Sequence, residues 1–226
     1  AENVVVNKAL TIKGPHAGTH GNDGSRGTGE AVIHPASGIA VRFSAADSTV
    51  DGFTLGSGNG HAVIRTAGVV PAGLHLVNNR IEDVTNGSGV FSEPGALVTV
   101  SGSFEIARNR FASISGSGAQ NGRGIALFKG TSEATIEDND FIGIPVHAVH
   151  LNGGNGALAN VTVSDNRISG TGSNAMIITN TNGVTVTGNT VADVPNALYF
   201  SDKTSDFTVT CNTFSSSGAA IGTGNF

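Results

Sequence analysis

Leu76-Val-Asn-Asn79-Arg-Ile81 runs apolar residue, two variable residues, asparagine, one variable residue, apolar residue, and this pattern returns five times further along the chain. The later copies are Ile106-Ala-Arg-Asn109-Arg-Phe111, Ile136-Glu-Asp-Asn139-Asp-Phe141, Val163-Ser-Asp-Asn166-Arg-Ile168, Val186-Thr-Gly-Asn189-Thr-Val191 and Val209-Thr-Cys-Asn212-Thr-Phe214. Successive asparagines are separated by 30, 30, 27, 23 and 23 residues. An earlier copy, Val50-Asp-Gly-Phe53-Thr-Leu55, has Phe where the others have Asn. Self-similarity at such a period is the mark of a solenoid. Inside each copy the period-2 alternation predicts a strand, and the break of phase at Asn predicts a tight bend into a second strand. Asn suits a bend because it tolerates left-handed backbone and its amide can hydrogen-bond.

Another strand pattern follows the bends at a nearly constant distance: Gly38-Ile-Ala-Val41, His61-Ala-Val-Ile64, Gly124-Ile-Ala-Leu127, Ala148-Val-His-Leu151, Ala175-Met-Ile-Ile178 and Ala197-Leu-Tyr-Phe200. Each repeat thus offers three short strands and three turns. One coil cannot bury its own apolar face, so the coils must stack at about 4.8 Å. The expected fold is all-β, a single-stranded solenoid of about eight coils forming three short parallel sheets, in one domain over residues 1–226.

These two motifs together resemble the right-handed parallel β-helix of the pectate-lyase-like superfamily, and the resemblance covers nearly the whole chain. The opening Glu2-Asn-Val-Val-Val-Asn-Lys-Ala-Leu-Thr-Ile-Lys-Gly14 is similar to the first coils of secreted and surface members. Members normally carry an amphipathic capping helix before that point, and none precedes it here. The resemblance therefore implies a fragment of a larger exported protein, with neighbouring domains or end-to-end self-association covering the solenoid ends.

Composition agrees. Charged residues make up 13% of the 226, Trp is absent, Gly numbers 33, and the formal net charge is −5 without any basic run. Nucleic acid is excluded as a partner, since no cationic stripe is available for phosphates. The one cysteine, Cys211, forms no disulfide framework or zinc pattern. No apolar run reaches the roughly 18 residues needed to cross a bilayer, so no membrane insertion is expected. The Asn/Gly/Ser/Thr-rich, Lys-poor chain fits an extracellular or cell-surface location.

The superfamily contains lyases, hydrolases, epimerases, adhesins and non-catalytic modules, so function must be read from sites. In the fold's relatives a substrate groove lies over the strand matched by the second motif. Taking apolar alternates as inward, its outward residues are Ala40 and Arg42, Val63 and Arg65, Phe91 and Glu93, Ala126 and Phe128 with Lys129 at the edge, His150 and Asn152, Ile177 and Thr179, and Tyr199 and Ser201. Arg42, Arg65 and Lys129 suit carboxylates or sulfates, while Phe128, His150 and Tyr199 suit sugar rings, so an acidic polysaccharide is the expected ligand. The alternative is a solvated coil face with scattered exposed aromatics.

Catalysis requires a base, an acid and a neutralising cation converging on one carbon. Arg65 and His150 stand three coils apart and His150 and Tyr199 two, roughly 14 and 10 Å at the strand spacing. His150 remains the sole catalytic candidate. The Asp-Pro-His-Glu of alginate epimerases, the Gly-His-Gly and Arg-Ile-Lys of polygalacturonases, and the Trp-Ile-Asp-His and Arg-x-Pro-x-x-Arg of pectate lyases are all missing. The favoured function is a non-catalytic exported module that binds polysaccharide or forms an adhesive stalk. The alternative is a polysaccharide lyase, hydrolase or epimerase.

Two long turns are the other places to look. The glycine-rich stretch from Gly14 to Glu30 carries His16, His20, Asn22, Asp23, Arg26 and Glu30, and reads first as a flexible surface loop. Its Asn22-Asp23-Gly24 is a weak calcium motif, and no other cofactor or metal is expected. The second turn, Asn152-Gly-Gly-Asn-Gly156, follows His150 directly. Beside the Asn column, Arg108, Arg110, Asp138, Asp140, Asp165 and Arg167 predict a salt-bridge ladder; three of them, Asp138, Asp140 and Asp165, are a lesser candidate for a divalent ion. Thr rows at 162, 185, 187, 208 and 210 give a minor ice-binding reading, interrupted in earlier coils by Lys13, Asp51, Glu105 and Glu137.

Overall fold

Short β-branched runs punctuated by Gly, Asn and Asp cannot propagate long strands, and the chain instead turns three times per coil. The computed structural model describes residues 2–65, 72–92, 103–116, 118, 120–128, 131–154, 158–215 and 218–224. Every strand pairs with the equivalent strand one coil away, in parallel. Sheet 1 has nine strands, from Val4–Val6 to Ala219–Thr223. Sheet 2 stacks eight, from Thr11–Lys13 to Thr208–Thr210, with the short Thr131–Ser132 pairing beside them. Sheet 3 also stacks eight, from Val32–Ile33 to Thr213–Ser215. Among the described residues eight coils therefore follow one another and no helix occurs.

Parallel in-register pairing places like residues above one another. Leu76, Ile106, Ile136, Val163, Val186 and Val209 form one inward column of sheet 2. Phe111 and Phe141 stack in sheet 3 with ring centroids 4.6 Å apart. The interior is one continuous apolar cluster from Val6 to Phe200. Each fully buried Val, Leu or Ile contributes roughly 1.5–3 kcal/mol, which is how three-residue strands become stable.

The Asn column is an amide ladder. Asn79 Oδ1 accepts the backbone N–H of Phe53, and the same bond links Asn109 to Asn79, Asn139 to Asn109, Asn166 to Asn139, Asn189 to Asn166 and Asn212 to Asn189, all at 2.9–3.0 Å. Each Nδ2 donates back to a strand carbonyl of the preceding coil, such as Asn139 to Ile106 at 2.8 Å. Phe53 occupies the head of the ladder. The left-handed residue is not the asparagine, as expected from the sequence, but the one before it: Asn78, Arg108, Asp138, Asp165, Gly188 and Cys211 all have φ between 50° and 68°. The ladder holds even Arg108 and Cys211 in a region that costs an L-residue about 1–2 kcal/mol.

The Gly14–Glu30 stretch is a strap rather than a loose loop. Left-handed bends turn one carbonyl per coil outward, and the strap supplies donors to three in a row. Arg26 Nη1 donates to Asn78 O, Gly21 N to Arg108 O at 2.8 Å, and His20 Nε2 to Asp138 O at 2.8 Å. Gly21 is required by contact: a Cβ there would stand 2.3 Å from Asn79 O and 2.6 Å from Arg110 N. Arg26 is buried, and its guanidinium grips both oxygens of Glu30 at 2.8 and 2.9 Å. Glu30 also accepts Thr54 Oγ1 at 2.9 Å, and these bonds with Arg26 hold its carboxyl below the usual range against the opposing effect of burial. Asp23, the calcium-motif carboxylate, closes a local turn by accepting Ser25 N–H at 2.7 Å.

The charged flank of the Asn column pairs more selectively than a simple ladder. Arg167 takes both oxygens of Asp140, at 2.5 and 2.9 Å. Arg110 turns instead to Glu82, and Arg108 Nε donates to Asn78 Oδ1 at 3.0 Å.

Candidate functional site

Four sheet 1 strands break phase at their start, where two successive residues both face inward. Ala62 and Val63, Ala148 and Val149, Ala175 and Met176, and Ala197 and Leu198 all belong to the central core. The break fixes three outward rows. The leading row, one residue before each break, includes His61, Arg123, His147, Asn174 and Asn196, with Arg123 paired to His147 and Asn174 to Asn196. The middle row reads Arg42, Ile64, Phe91, Ala126, His150, Ile177 and Tyr199 in unbroken register. The trailing row reads Phe128, Asn152, Thr179 and Ser201.

Arg42, Phe128, His150 and Tyr199 lie on this face as the sequence predicts. Arg65 does not. It pairs with Phe43 and Ser92 in an inward column, is 2% exposed, and donates from Nη2 to Thr131 Oγ1 at 2.8 Å. Burial pushes its guanidinium down to about 10. The outward residue of that coil is Ile64, so Val63 was also a residue out of phase, as was Ala40. A one-residue slip moves a side chain to the opposite face. Lys129 and Glu93 lie outside the described residues.

Rings run obliquely across the face. His61 stacks on Phe91 at 4.4 Å, Phe91 meets Phe128 at 5.6 Å, Phe128 meets His150 at 5.1 Å, and His150 meets His147 at 5.5 Å. Ile64, Phe91 and Ala126 form a second apolar cluster outside the solenoid wall, with Ile39 and Phe128 packed against it. Phe91 is 3% exposed and closed to a ligand, whereas Phe128, Asn152, Ile177, Tyr199 and Ser201 remain half-exposed. Accessible side chains therefore stand at both ends of the face, with Val5 and the half-exposed Arg42 paired at the N-terminal end and Ile177 and Tyr199 toward the C-terminal end, on either side of the buried Phe91 and Ala126.

Burial neutralises the histidines. His150 is pushed down to about 3, first by desolvation and then by Arg123 and His147, and desolvation also lowers His147. His147 Nδ1 bonds Asn174 O at 3.0 Å, but His150 Nδ1 and the neighbouring Arg123 Nε are buried without hydrogen-bond partners. Such orphaned groups are rare and costly in a folded protein.

Sequence reasoning missed the leading row. Its signal was present: Arg123, His147, Asn174 and Asn196 each stand immediately before the Gly or Ala that opens a strand motif, and His61 opens its own motif just before Ala62. Thr135, Thr162, Thr185 and Thr208 do form one outward row of sheet 2, but His75 and Glu105 interrupt it and pair at 2.5 Å.

Residues 95–225 match the family model described as right handed beta helix region. The chain belongs to the right-handed β-helix family. This β-helix matches no curated protein. Among solved structures it is similar to the enzymatically active domain of bacteriophage CBA120 tailspike protein 2, with 9% identity and a TM-score of 0.43. The match covers 98% of the β-helix and 40% of the tailspike chain, so the chain spans less than half the length of that relative.

Proposed function

We propose that this β-helix is a non-catalytic module of an exported or cell-surface protein, binding polysaccharide along the outer face of sheet 1. One observation carries the reading. A parallel, in-register face presents half-exposed Phe128, Ile177 and Tyr199 bordered by half-exposed Asn152, Asn174, Asn196 and Ser201. Apolar surface flanked by amides and hydroxyls suits sugar rings, whose C–H faces pack on apolar groups while their hydroxyls donate and accept. The strand spacing of about 4.8 Å repeats these groups along the stack, which suits a polymer better than a small molecule.

A polysaccharide lyase, hydrolase or epimerase is the second reading, favoured by the orphaned His150 Nδ1 and Arg123 Nε. Against it, an imidazole held near 3 is a weak base at neutral pH. Incubation with a panel of glycans, following unsaturated-product absorbance and reducing ends beside retention on the same immobilised glycans, separates the two. Retention without product supports the binding module. Product that disappears in His150→Ala establishes the enzyme instead. The absence of both retention and product overturns the polysaccharide reading and leaves a structural stalk.

A further inference from the structure

Tyr199 is the only tyrosine of the chain, and the backbone beyond it is shaped to receive its ring. Its Cα partner one coil on is Gly222. A Cβ on Gly222 would stand 2.8 Å from Tyr199 Cδ2 and 3.4 Å from Cε2, and one on Gly224 would stand 2.7 Å from the Tyr199 hydroxyl. The ring therefore reaches across to the following coil, over positions where any other residue would displace it, and the residue stays half-exposed. Ile177, its partner one coil back, continues the ledge.

Among the described residues, the borders of the ledge are lined by amides and hydroxyls. Asn196 Nδ2 donates to Asn174 Oδ1 at 2.8 Å, which keeps Asn174 Nδ2 as a donor and Asn196 Oδ1 as an acceptor. Across the ledge, Asn152 Oδ1 accepts Gly154 N–H at 2.8 Å, which keeps its Nδ2 as a donor, and the Ser201 hydroxyl, donating to Asp202 Oδ2 at 3.3 Å, adds an acceptor. The trailing row lies about 6.8 Å from the middle one, two residues along a strand. Burial keeps His147 and His150, at the near end, below their ordinary ionisation range. Past Ser201, the adjacent Asp202 and Lys203 bring one charge of each sign. The inward turn of Arg65 removes it from the outward face, Arg42 stands five coils before Ile177, and Arg123, paired to His147, is 6% exposed.

We infer that the ligand of this face is a neutral saccharide chain, stacked on Tyr199 and Ile177 and read by Asn152, Asn174, Asn196 and Ser201. An acidic polysaccharide would need cations opposed to its carboxylates or sulfates, and between His147 and Ser201 the outward rows supply donors and acceptors instead. An N-acetylated or plain pyranose chain meets both requirements, a ring with an apolar face and groups that bond amides.

This inference rests on the polysaccharide reading, and one experiment separates their failures. Retention is measured on immobilised β-glucan, galactan, mannan and chitin oligomers, and on pectate, alginate and chondroitin, at low and high salt. The wild type is compared with Tyr199→Ala, Tyr199→Phe, Gly222→Val and Lys13→Ala, folding being checked by circular dichroism and thermal melting. The expected result is salt-insensitive retention on a neutral glycan, about tenfold weaker in Tyr199→Ala, as loss of one stacked ring implies. Gly222→Val, which displaces the ring without deleting it, weakens retention likewise, while Tyr199→Phe and Lys13→Ala retain it. Retention confined to acidic glycans, lost at high salt or indifferent to Tyr199→Ala, overturns the neutral-ligand assignment and keeps the polysaccharide reading. No retention on any glycan overturns both.

Discussion

Arg26 donates to the carbonyl oxygen of Asn78, 52 residues further along the chain, while its guanidinium is clamped by Glu30. Through this contact and the two beside it, a strap from the first coil is fastened across the third, fourth and fifth.

Arg26→Ala removes a buried cation, leaves Asn78 O without its donor and strips Glu30 of its bidentate partner while Thr54 and Arg80 remain, at about 1–3 kcal/mol for each lost contact. The thermal midpoint falls, and proteolytic cleavage between residues 14 and 30 accelerates. Gly21→Ala has the same effect by steric means, because the added methyl meets backbone on two coils. An unchanged midpoint with rapid cleavage would show that the strap contributes nothing to the solenoid.

Asn139 stands mid-ladder, bonded to Asn109 N and Ile106 O. Asn139→Ala orphans both and costs roughly 2–5 kcal/mol. Asn139→Asp costs at least as much, since its carboxylate would face Ile106 O and Asn166 Oδ1, both acceptors. Asn212→Ala, in the last coil of the column where Asn212 is half-exposed, costs less. Chemical denaturation of the three variants ranks them.

Arg65 and Arg42 were indistinguishable in the sequence and are opposite in the fold. Arg65→Ala empties a buried position and unpairs Thr131 Oγ1 from its guanidinium, so it is expected to destabilise by about 2–4 kcal/mol. Arg42→Ala, on the outward face, stays within about 0.5–1 kcal/mol of wild type.

His150 predicts an acid-sensitive contribution. Its ordinary value of 6.5 applies to the unfolded chain, and the folded value is about 3, so below 6.5 the unfolded state binds the extra proton. Stability is lost as pH falls from about 6.5 toward 3. His150→Phe, which keeps a ring against Phe128, flattens that slope by up to a few kcal/mol between pH 7 and 4, measured by denaturation at each pH.

The Asn column was fully legible because an amide ladder needs the same side chain in every coil, so the structural requirement is itself periodic. The Thr and Val alternation of sheet 2 was legible for the same reason. Arg65 was misplaced because paired inward residues such as Ala62 and Val63 shift the phase by one, and an apolar Ile64 beside a charged Arg65 reads the wrong way round. The strap was hidden by distance: His20 meets Asp138 across 118 residues, and no local pattern encodes that contact. The placement of Tyr199 was equally hidden, since it depends on glycines in the following coil.

The chain has one tyrosine and no tryptophan, so its intrinsic emission on excitation near the tyrosine band reports Tyr199. Titrating that emission with neutral oligosaccharides tests the central claim most directly. A saturable change at the same concentrations that compete the protein from an immobilised neutral glycan is predicted. Competition by the glycan with the Tyr199 signal unmoved would place binding elsewhere and contradict the account.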